Sequence, residues 1–143
     1  FSVKDFGAIT TDKDTPFPKR LCEIYEDYCQ ILDSWKPDAL SIERLYFTNN
    51  QKTGIDVAQA RGIIIMAAAQ RGIEINEYTP LQVKQAVVGY GQAVKKQVQE
   101  MTKNILKLSC VPKPDDTADA LAMTICHAQT SGSLLRNIKA SNI

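Results

Sequence analysis

Two short strand-like segments are each followed by a helix-like segment, and this alternation strongly limits the folds open to the chain. The first strand-like segment is DALSIERLYF, followed by NNQKTGIDVAQARGIIIMAAAQRG; the second is IEINEY, followed by TPLQVKQAVVGYG. Strands that alternate with helices are typical of an α/β domain with at least partly parallel pairing. The sequence therefore predicts an α/β fold.

The rest of the chain extends this pattern at both ends. FSVKDFGAITT, at the start, predicts a further strand, and an apolar stripe from Leu21 to Trp35 predicts a helix that stops at Pro37. QAVKKQVQEMTKNILKL and PKPDDTADALAMTICHA predict two more helices, with a polar, flexible tail from Ser131. In TPLQVKQAVVGYG, Thr79 is the expected helix cap, Pro80 the first helical residue and Gly89 the end.

Composition excludes several classes of protein. The 143 residues are 44% hydrophobic, but the longest apolar run, GIIIMAAA, is too short to span a membrane, and the start does not resemble a secretion signal. We therefore expect one domain, residues 1–143, in the cytoplasm. The four cysteines show no C-x-x-C pairing and are predicted to be reduced and buried. Because the net charge is only +1, a basic surface that binds nucleic acid can cover only one part of the protein.

The last predicted helix begins with three carboxylates, and capping explains only part of them. Asp115 or Asp116 can cap the helix, because acids suit its positive end. Asp119 lies a turn further in, among small apolar residues, on the same face as Asp116 and Met123. Such a carboxylate needs either an ion-pair partner or a metal, and this stretch alone does not decide between them.

Glu43 supplies a third acid near the carboxyl end of a predicted strand, where sites of open α/β sheets collect. If the last helix packs against this edge, Glu43, Asp116 and Asp119 converge. Three hard oxygen ligands favour Mg²⁺ or Mn²⁺ over zinc, for which the single His127 offers no partner at a suitable spacing. The alternative for Glu43 is a salt bridge with Arg44 or a solvated strand end.

Basic and aromatic residues flank these acids. Lys84 lies in the middle of one predicted helix, and Lys95 with Lys96 opens the next, where a cation is unfavourable unless an anion such as phosphate binds. Tyr46 and Phe47 leave the strand just after Glu43 and could stack on unpaired bases. Lysine pairs are nevertheless usually solvated, and core packing of at least one aromatic is the commoner outcome.

Four segments, in this order, resemble the bacterial RuvC-type Holliday junction resolvases: SIERLYF, QARGIIIMAAA, YTPLQVKQAVVGYGQAVKKQVQEM and PKPDDTADALAMTICHA. The resemblance covers almost the whole chain. It implies an RNase H-like mixed sheet flanked by helices, in an endonuclease that cuts four-way DNA junctions by paired symmetric nicks during recombination and repair. It also implies a homodimer that works with a branch-migration motor complex of the RuvAB type.

The same resemblance implies roles for individual residues. Glu43, Asp116 and Asp119 match three of four carboxylates that hold two Mg²⁺ or Mn²⁺ ions, and Lys84 and Lys95 match lysines near the cleaved strand. Tyr46 matches an aromatic position at the junction centre; Phe47 and Lys96 extend this expected DNA surface. Arg44 and Val94 depart from the family pattern, and we expect them to alter DNA contact rather than chemistry.

Two further expectations concern what lies outside a single chain. The resemblance implies an N-terminal β-hairpin, ahead of Phe1, that carries the fourth carboxylate. Small residues at Gly54, Ala58 and Gly62 allow close helix approach, either to a second subunit or to the protein's own sheet.

The alternatives to a junction resolvase are a junction-binding domain without catalysis and a different RNase H-like nuclease that acts on RNA.

Overall fold

The computed structural model describes the backbone of residues 1–45 and 51–141, and the side chains of 1–45 and 53–132. Within these residues the chain forms helices and strands in the order α1 (Phe17–Trp35), β1 (Ala39–Glu43), α2 (Gln51–Gln70), β2 (Glu74–Tyr78), α3 (Pro80–Val88), α4 (Lys95–Ile105) and α5 (Asp115–Ser141). The predicted alternation of strands and helices in the middle of the chain is confirmed.

Strands β1 and β2 form a two-stranded sheet. The Glu74 amide donates to the carbonyl of Asp38, and the Arg44 amide donates to the carbonyl of Tyr78, at 3.4 and 2.9 Å. Residue numbers rise together along the two strands, so the pairing is parallel, and α2 forms the crossover that parallel strands require. The predicted parallel pairing is therefore present.

The segment at the start of the chain differs from its prediction. FSVKDFGAITT forms no strand, and no regular element is present before α1. A strand exists only through hydrogen bonds to a neighbour, and in the described residues the sheet consists of β1 and β2 alone. Aromatic and β-branched composition is thus not sufficient for strand formation. At the other end, α5 continues past Ser131, where the polar tail was expected, to Ser141.

The described chain divides into two compact units, each discontinuous in sequence: Phe1–Ala8, Ser41–Arg44 and Glu77–Ile143 make up the first, and Ile9–Leu40 and Leu45–Asn76 make up the second. The expectation of a single domain over 1–143 stays a prediction.

The second unit is built on the contact between α1 and α2. Ala67 and Ala68 are fully buried beside Leu32, and larger, partly buried side chains surround them. Two alanines in succession let the helices approach closely at the end of α2. The apolar stripe of α1 is only partly buried, since Ile31 and Trp35 are 43% and 53% exposed.

The first unit carries the larger core, formed where α3, α4 and α5 pack together. Its buried members come from β2, all three helices and the loop after α3: Tyr78, Val83, Val87, Ala93, Val98, Ala122, Ile125 and Cys126. All four cysteines are free, as predicted, but Cys22 and Cys110 are exposed and only Cys126 is buried. No helix within the described ranges is long and apolar enough to cross a membrane.

Candidate active site

Glu43 is the last residue of β1 and is exposed. The hydrogen bond from the Arg44 amide to the Tyr78 carbonyl fixes the end of β1 against the end of β2. The Arg44 side chain also lies 3.9 Å from the carboxylate of Glu77, with both side chains largely in solvent. Glu43 therefore stands at the carboxyl end of the sheet, as its position in the sequence predicted.

Helix α3 begins directly after β2 and is fixed at both ends. The Gln82 amide donates to Thr79 Oγ1 at 3.1 Å, and the Thr79 amide donates to Gln82 Oε1 at 2.8 Å, which together make a capping box. Gly89 ends the helix in the left-handed conformation, with φ of 79°. Lys84, in the middle of α3, is thereby held at a fixed place beside the sheet end.

Helices α4 and α5 bring a lysine and an aspartate together. Val98 and Thr102 from α4 are buried, as are Ala118 and Ala122 from α5, so the two helices pack by these faces. Lys95, the first residue of α4, consequently reaches Asp119, and its Nζ lies 3.0 Å from Asp119 Oδ2. Asp119 is 42% exposed, so it lies at the edge of the core rather than inside it.

These pieces line one cavity of about 270 Å³ within the first unit. Its lining combines two carboxylates and two ammonium groups with apolar side chains; the lining residues are Glu43, Pro80, Val83, Lys84, Lys95, Val98, Asp119, Ala122 and Met123. Apolar neighbours lower the local dielectric constant and strengthen the interactions of charges beside them. The cavity thus combines groups that can bind a cation with groups that can bind an anion.

The electrostatics centre on Lys95. Its hydrogen bond to Asp119 raises the pKa of the ammonium, and the negative charges of Asp119, Asp115 and Asp116 act in the same direction. The pKa of Asp115 is lowered, chiefly by its hydrogen bond from Lys113, whose Nζ lies 2.7 Å from Oδ1. The start of α5 is therefore an acidic surface on which lysine ammonium groups are held.

The structure brings together four of the residues that the sequence singled out: Glu43, Asp119, Lys84 and Lys95. Asp116 is exposed and does not line the cavity, although its charge acts on Lys95 and it lies next to Asp119 on the helix surface. Lys96 is exposed in the first turn of α4, also outside the lining. Tyr46 and Phe47 lie outside the described residues.

Sequence reasoning missed two features of this site. The first is the Lys95–Asp119 ion pair, which depends on how α4 packs against α5 and leaves no local signal. The second is the apolar part of the cavity lining, to which Pro80, Val83 and Val98 contribute. Periodicity places such residues on a buried face, but it does not show that the face borders a cavity. Met123 was detectable, since it shares a helix face with Asp119.

The donor set suits Mg²⁺ or Mn²⁺. Mg²⁺ is commonly held by one or two carboxylates, with phosphate oxygens and water completing its octahedron. Glu43 and Asp119, lining one cavity next to two lysines, fit this arrangement when a phosphodiester is also bound. Among the described residues no group of three His, Cys, Asp or Glu side chains is arranged to hold a metal ion by protein ligands alone.

Known proteins are similar to this chain in sequence. A family model described as "Crossover junction endodeoxyribonuclease RuvC" matches residues 1–127. A relative of that name from Ruminiclostridium cellulolyticum is 52% identical over 139 residues, which cover 96% of this chain and 84% of the relative. Another, from Alkaliphilus oremlandii, is 53% identical over 130 residues, covering 91% of this chain and 79% of the relative.

Solved structures give the same result for the fold. The Thermus thermophilus RuvC structure matches with a TM-score of 0.76 and 33% identity, over 84% of this chain and 72% of that one. The T. thermophilus RuvC in complex with Holliday junction substrate matches with a TM-score of 0.78 and 34% identity, over 82% and 72%. By sequence and by fold, the chain belongs to the RuvC family of crossover junction endodeoxyribonucleases.

Proposed function

We propose that this protein is a divalent-metal-dependent endonuclease that resolves four-way DNA junctions by paired symmetric nicks. The observation that carries the proposal is the cavity that Glu43, Asp119, Lys84 and Lys95 line together, in a chain of the RuvC family. The T. thermophilus relative is bound to a Holliday junction, which supports the choice of a DNA junction as the substrate. An RNase H-like fold supports phosphodiester hydrolysis.

Within this proposal the carboxylates are metal ligands. Glu43 and Asp119 supply two oxygen donors for one Mg²⁺ or Mn²⁺ ion, and Asp116, adjacent to Asp119 on α5, is the described residue best placed to contribute to a second ion. Bound there, divalent ions supply Lewis-acid chemistry, which activates water and stabilises a leaving oxygen. The protein's own part is to orient these carboxylates on rigid elements, at a strand end and in a helix.

The lysines are proposed to bind the DNA backbone. Lys84 and Lys95 line the cavity and can hold the phosphate groups that flank the cleaved bond. Lys96, exposed in the same turn as Lys95, extends the basic surface. Tyr46 and Phe47 remain the proposed stacking residues for unpaired bases at the junction centre.

A symmetric junction requires two active sites, and we propose that α2 forms the dimer contact. A Cβ built at Gly54 or Gly62 would meet no atom within 4 Å, and Ile55 and Met66 are 55% and 43% exposed. Residues 55 and 66 lie close to three helical turns apart, so they share one face, which supports close approach of a second subunit. Sedimentation at micromolar concentration tests this, and a monomer would contradict it.

Two parts of the proposal rest on family membership alone. They are the partnership with a branch-migration motor of the RuvAB type and activity in the cytoplasm, where bacterial DNA lies. A pull-down between the purified chain and the motor complex, assembled on a junction, tests the first. Fractionation of cells that express a tagged chain tests the second.

The function itself is tested by incubating the protein with an end-labelled four-way junction, in Mg²⁺ and in EDTA. The expected result is a pair of nicks at symmetric positions, in Mg²⁺ only, with no cutting of a linear duplex of the same sequence. Junction binding without nicks would instead indicate a non-catalytic binding domain. Preferential cutting of an RNA strand in a hybrid would indicate a different RNase H-like nuclease.

A further inference from the structure

The two carboxylates proposed to bind one metal ion come from different elements of the fold. Glu43 ends β1, in a sheet of two strands, whereas Asp119 lies on helix α5. Mg²⁺ requires a nearly ideal octahedron of oxygen ligands at about 2.0–2.1 Å. Groups that share such a site must be held to within about 0.5 Å of the productive geometry. The end of β1 must therefore be fixed closely relative to α5.

Tyr78, the last residue of β2, is bonded to both elements. Its main-chain carbonyl accepts a hydrogen bond from the Arg44 amide at 2.9 Å, and Arg44 directly follows Glu43 in the sequence. Its side-chain hydroxyl lies 2.8 Å from Nδ1 of His127, on α5. One residue thereby joins the strand end that carries Glu43 to the helix that carries Asp119.

Burial makes this connection rigid. Tyr78 is 8% exposed, and among the residues that the structure describes it is the one strand residue buried in the core of α3, α4 and α5. His127 is partly buried, and the two residues before it, Ile125 and Cys126, are almost completely buried in the same core. In a close-packed interior neither ring can move without displacing its neighbours. The bond therefore holds β2 and α5 at a fixed separation.

Helix α5 extends this restraint to the site. His127 lies eight residues after Asp119, which is about 12 Å along a helix that rises 1.5 Å per residue. Ala122 and Ile125, between them, are fully buried in the core that α5 shares with α3 and α4. A continuous helix anchored in this way moves as one body over two turns, so a restraint at His127 also restrains Asp119.

We propose that Tyr78 and His127 are positioning residues of the metal site, whose hydrogen bond sets the separation between the Glu43 and Asp119 carboxylates. Neither residue lines the cavity, so their effect is exerted through β1 and α5 rather than by contact with the metal or the phosphate. The inference rests on the proposed function, since it concerns the same site. Its consequence is that loss of the bond weakens metal binding beyond what the loss of stability explains.

The first test measures Mn²⁺ binding to the DNA-free protein by electron paramagnetic resonance titration. Tyr78→Phe and His127→Leu should each bind Mn²⁺ about 10-fold more weakly than the wild type, the lower end of the range for residues that orient metal ligands. His127→Asn should recover most of this loss, because its side-chain amide offers a hydrogen-bonding atom close to the position of Nδ1.

The matched control for this titration is Ile125→Val. It removes one methyl group from the same core, with a loss of stability similar to that of one hydrogen bond, and leaves Tyr78 and His127 in place. Wild-type affinity in Tyr78→Phe, an equal loss in Ile125→Val, or an affinity of His127→Asn no better than that of His127→Leu would each overturn the inference.

The second test follows the strand end itself, through hydrogen exchange of the Arg44 amide measured by NMR. This amide donates to the Tyr78 carbonyl, so a Tyr78 side chain that has lost its partner should let that hydrogen bond open more often. Exchange should be several-fold faster in Tyr78→Phe and His127→Leu than in Ile125→Val. Equal exchange rates in the three variants would contradict the positioning role.

Nicking assays separate this inference from the proposed function. If the wild type nicks a four-way junction in Mg²⁺ while Tyr78→Phe keeps the wild-type Mn²⁺ affinity, the positioning role is wrong and the nuclease proposal stands. A wild-type protein that neither binds Mn²⁺ nor nicks the junction would overturn the proposed function, and the inference with it.

Discussion

The guanidinium of Arg71 holds the carboxylate of Asp33 through two hydrogen bonds, from Nε to Oδ1 at 2.7 Å and from Nη2 to Oδ2 at 3.0 Å. Arg71 also donates from Nη1 to the carbonyl of Ala67, so the pair ties the last turns of α1 and α2 together. This bidentate geometry is the strongest form of a surface ion pair. It lowers the pKa of Asp33 below its ordinary value.

The Asp33 pair predicts a pH dependence of stability. Because the folded-state pKa is depressed, the contribution is fully present above the ordinary value of about 4 and is lost as the pH falls through the folded pKa. Asp33→Asn should lower the melting temperature at pH 7 slightly, and the melting temperature of the variant should fall less steeply than that of the wild type as the pH drops below about 4. Asp27→Asn, the same change on the same helix, is the control. Identical pH profiles for Asp33→Asn and the wild type would contradict the prediction.

Tyr78 and His127 provide a second test of the fold. The Tyr78 hydroxyl lies 2.8 Å from His127 Nδ1, and Tyr78 is 8% exposed, so the hydrogen bond joins β2 to α5 near the core. Tyr78→Phe should cost about 1 kcal/mol of unfolding free energy, the usual value for one such bond. A cycle with His127→Leu, measured by urea unfolding, isolates the bond. A coupling energy near zero would show that the two groups act independently.

Two glycines of the loop between α3 and α4 should respond differently to alanine. Gly89 has φ of 79°, so Gly89→Ala should cost about 1 kcal/mol, because a Cβ is disfavoured in the left-handed region. At Gly91 a Cβ would lie 2.7 Å from Leu81 Cδ1, the end of a flexible and 62% exposed side chain that can move aside. Gly91→Ala should therefore be milder. Urea unfolding of both variants measures the unfolding free energy that each one loses. A larger loss for Gly91→Ala than for Gly89→Ala would contradict the prediction.

Removal of a proposed ligand should separate cleavage from binding. Asp119→Asn and Asp116→Asn should each slow junction nicking by about 100-fold or more, since even second-shell changes at metal sites cost 10–100-fold. Junction affinity should be nearly unchanged, because a negative charge near phosphates is lost along with the metal. Gel assays of nicking and binding test both halves. Wild-type nicking by either variant would remove that residue from the metal site.

Loss of a phosphate contact should appear in the salt dependence of binding. Lys84→Ala should reduce the slope of log affinity against log salt by about 0.9, the value for one phosphate contact on duplex DNA. Lys103→Ala is the control, because Lys103 lies in the last turn of α4 and does not line the cavity. Anisotropy titrations at several salt concentrations give both slopes. An unchanged slope in Lys84→Ala would show that Lys84 does not contact a DNA phosphate.

Features set by neighbours in sequence were predictable. Helix α3 begins and ends where the sequence predicts. Thr79 is the cap, Gln82 completes the capping box, and Gly89 ends the helix in the left-handed conformation. These contacts span only three or four residues, so the chain encodes them before any tertiary contact forms. The placement of Glu43 at a strand end and of Asp116 and Asp119 on one helix face is local in the same sense.

Features that require distant partners were decided only by the tertiary structure. FSVKDFGAITT has the composition of a strand but forms none, because a strand needs a hydrogen-bonded neighbour. The sequence left two kinds of partner for the Asp119 carboxylate, an ion-pair partner or a metal. It could not identify Lys95 as that partner, because Lys95 approaches only where α4 packs along α5. Composition and periodicity fixed which groups are present and which helix face carries them. Only packing determined their separation, and a carboxylate's partner depends on a few ångströms.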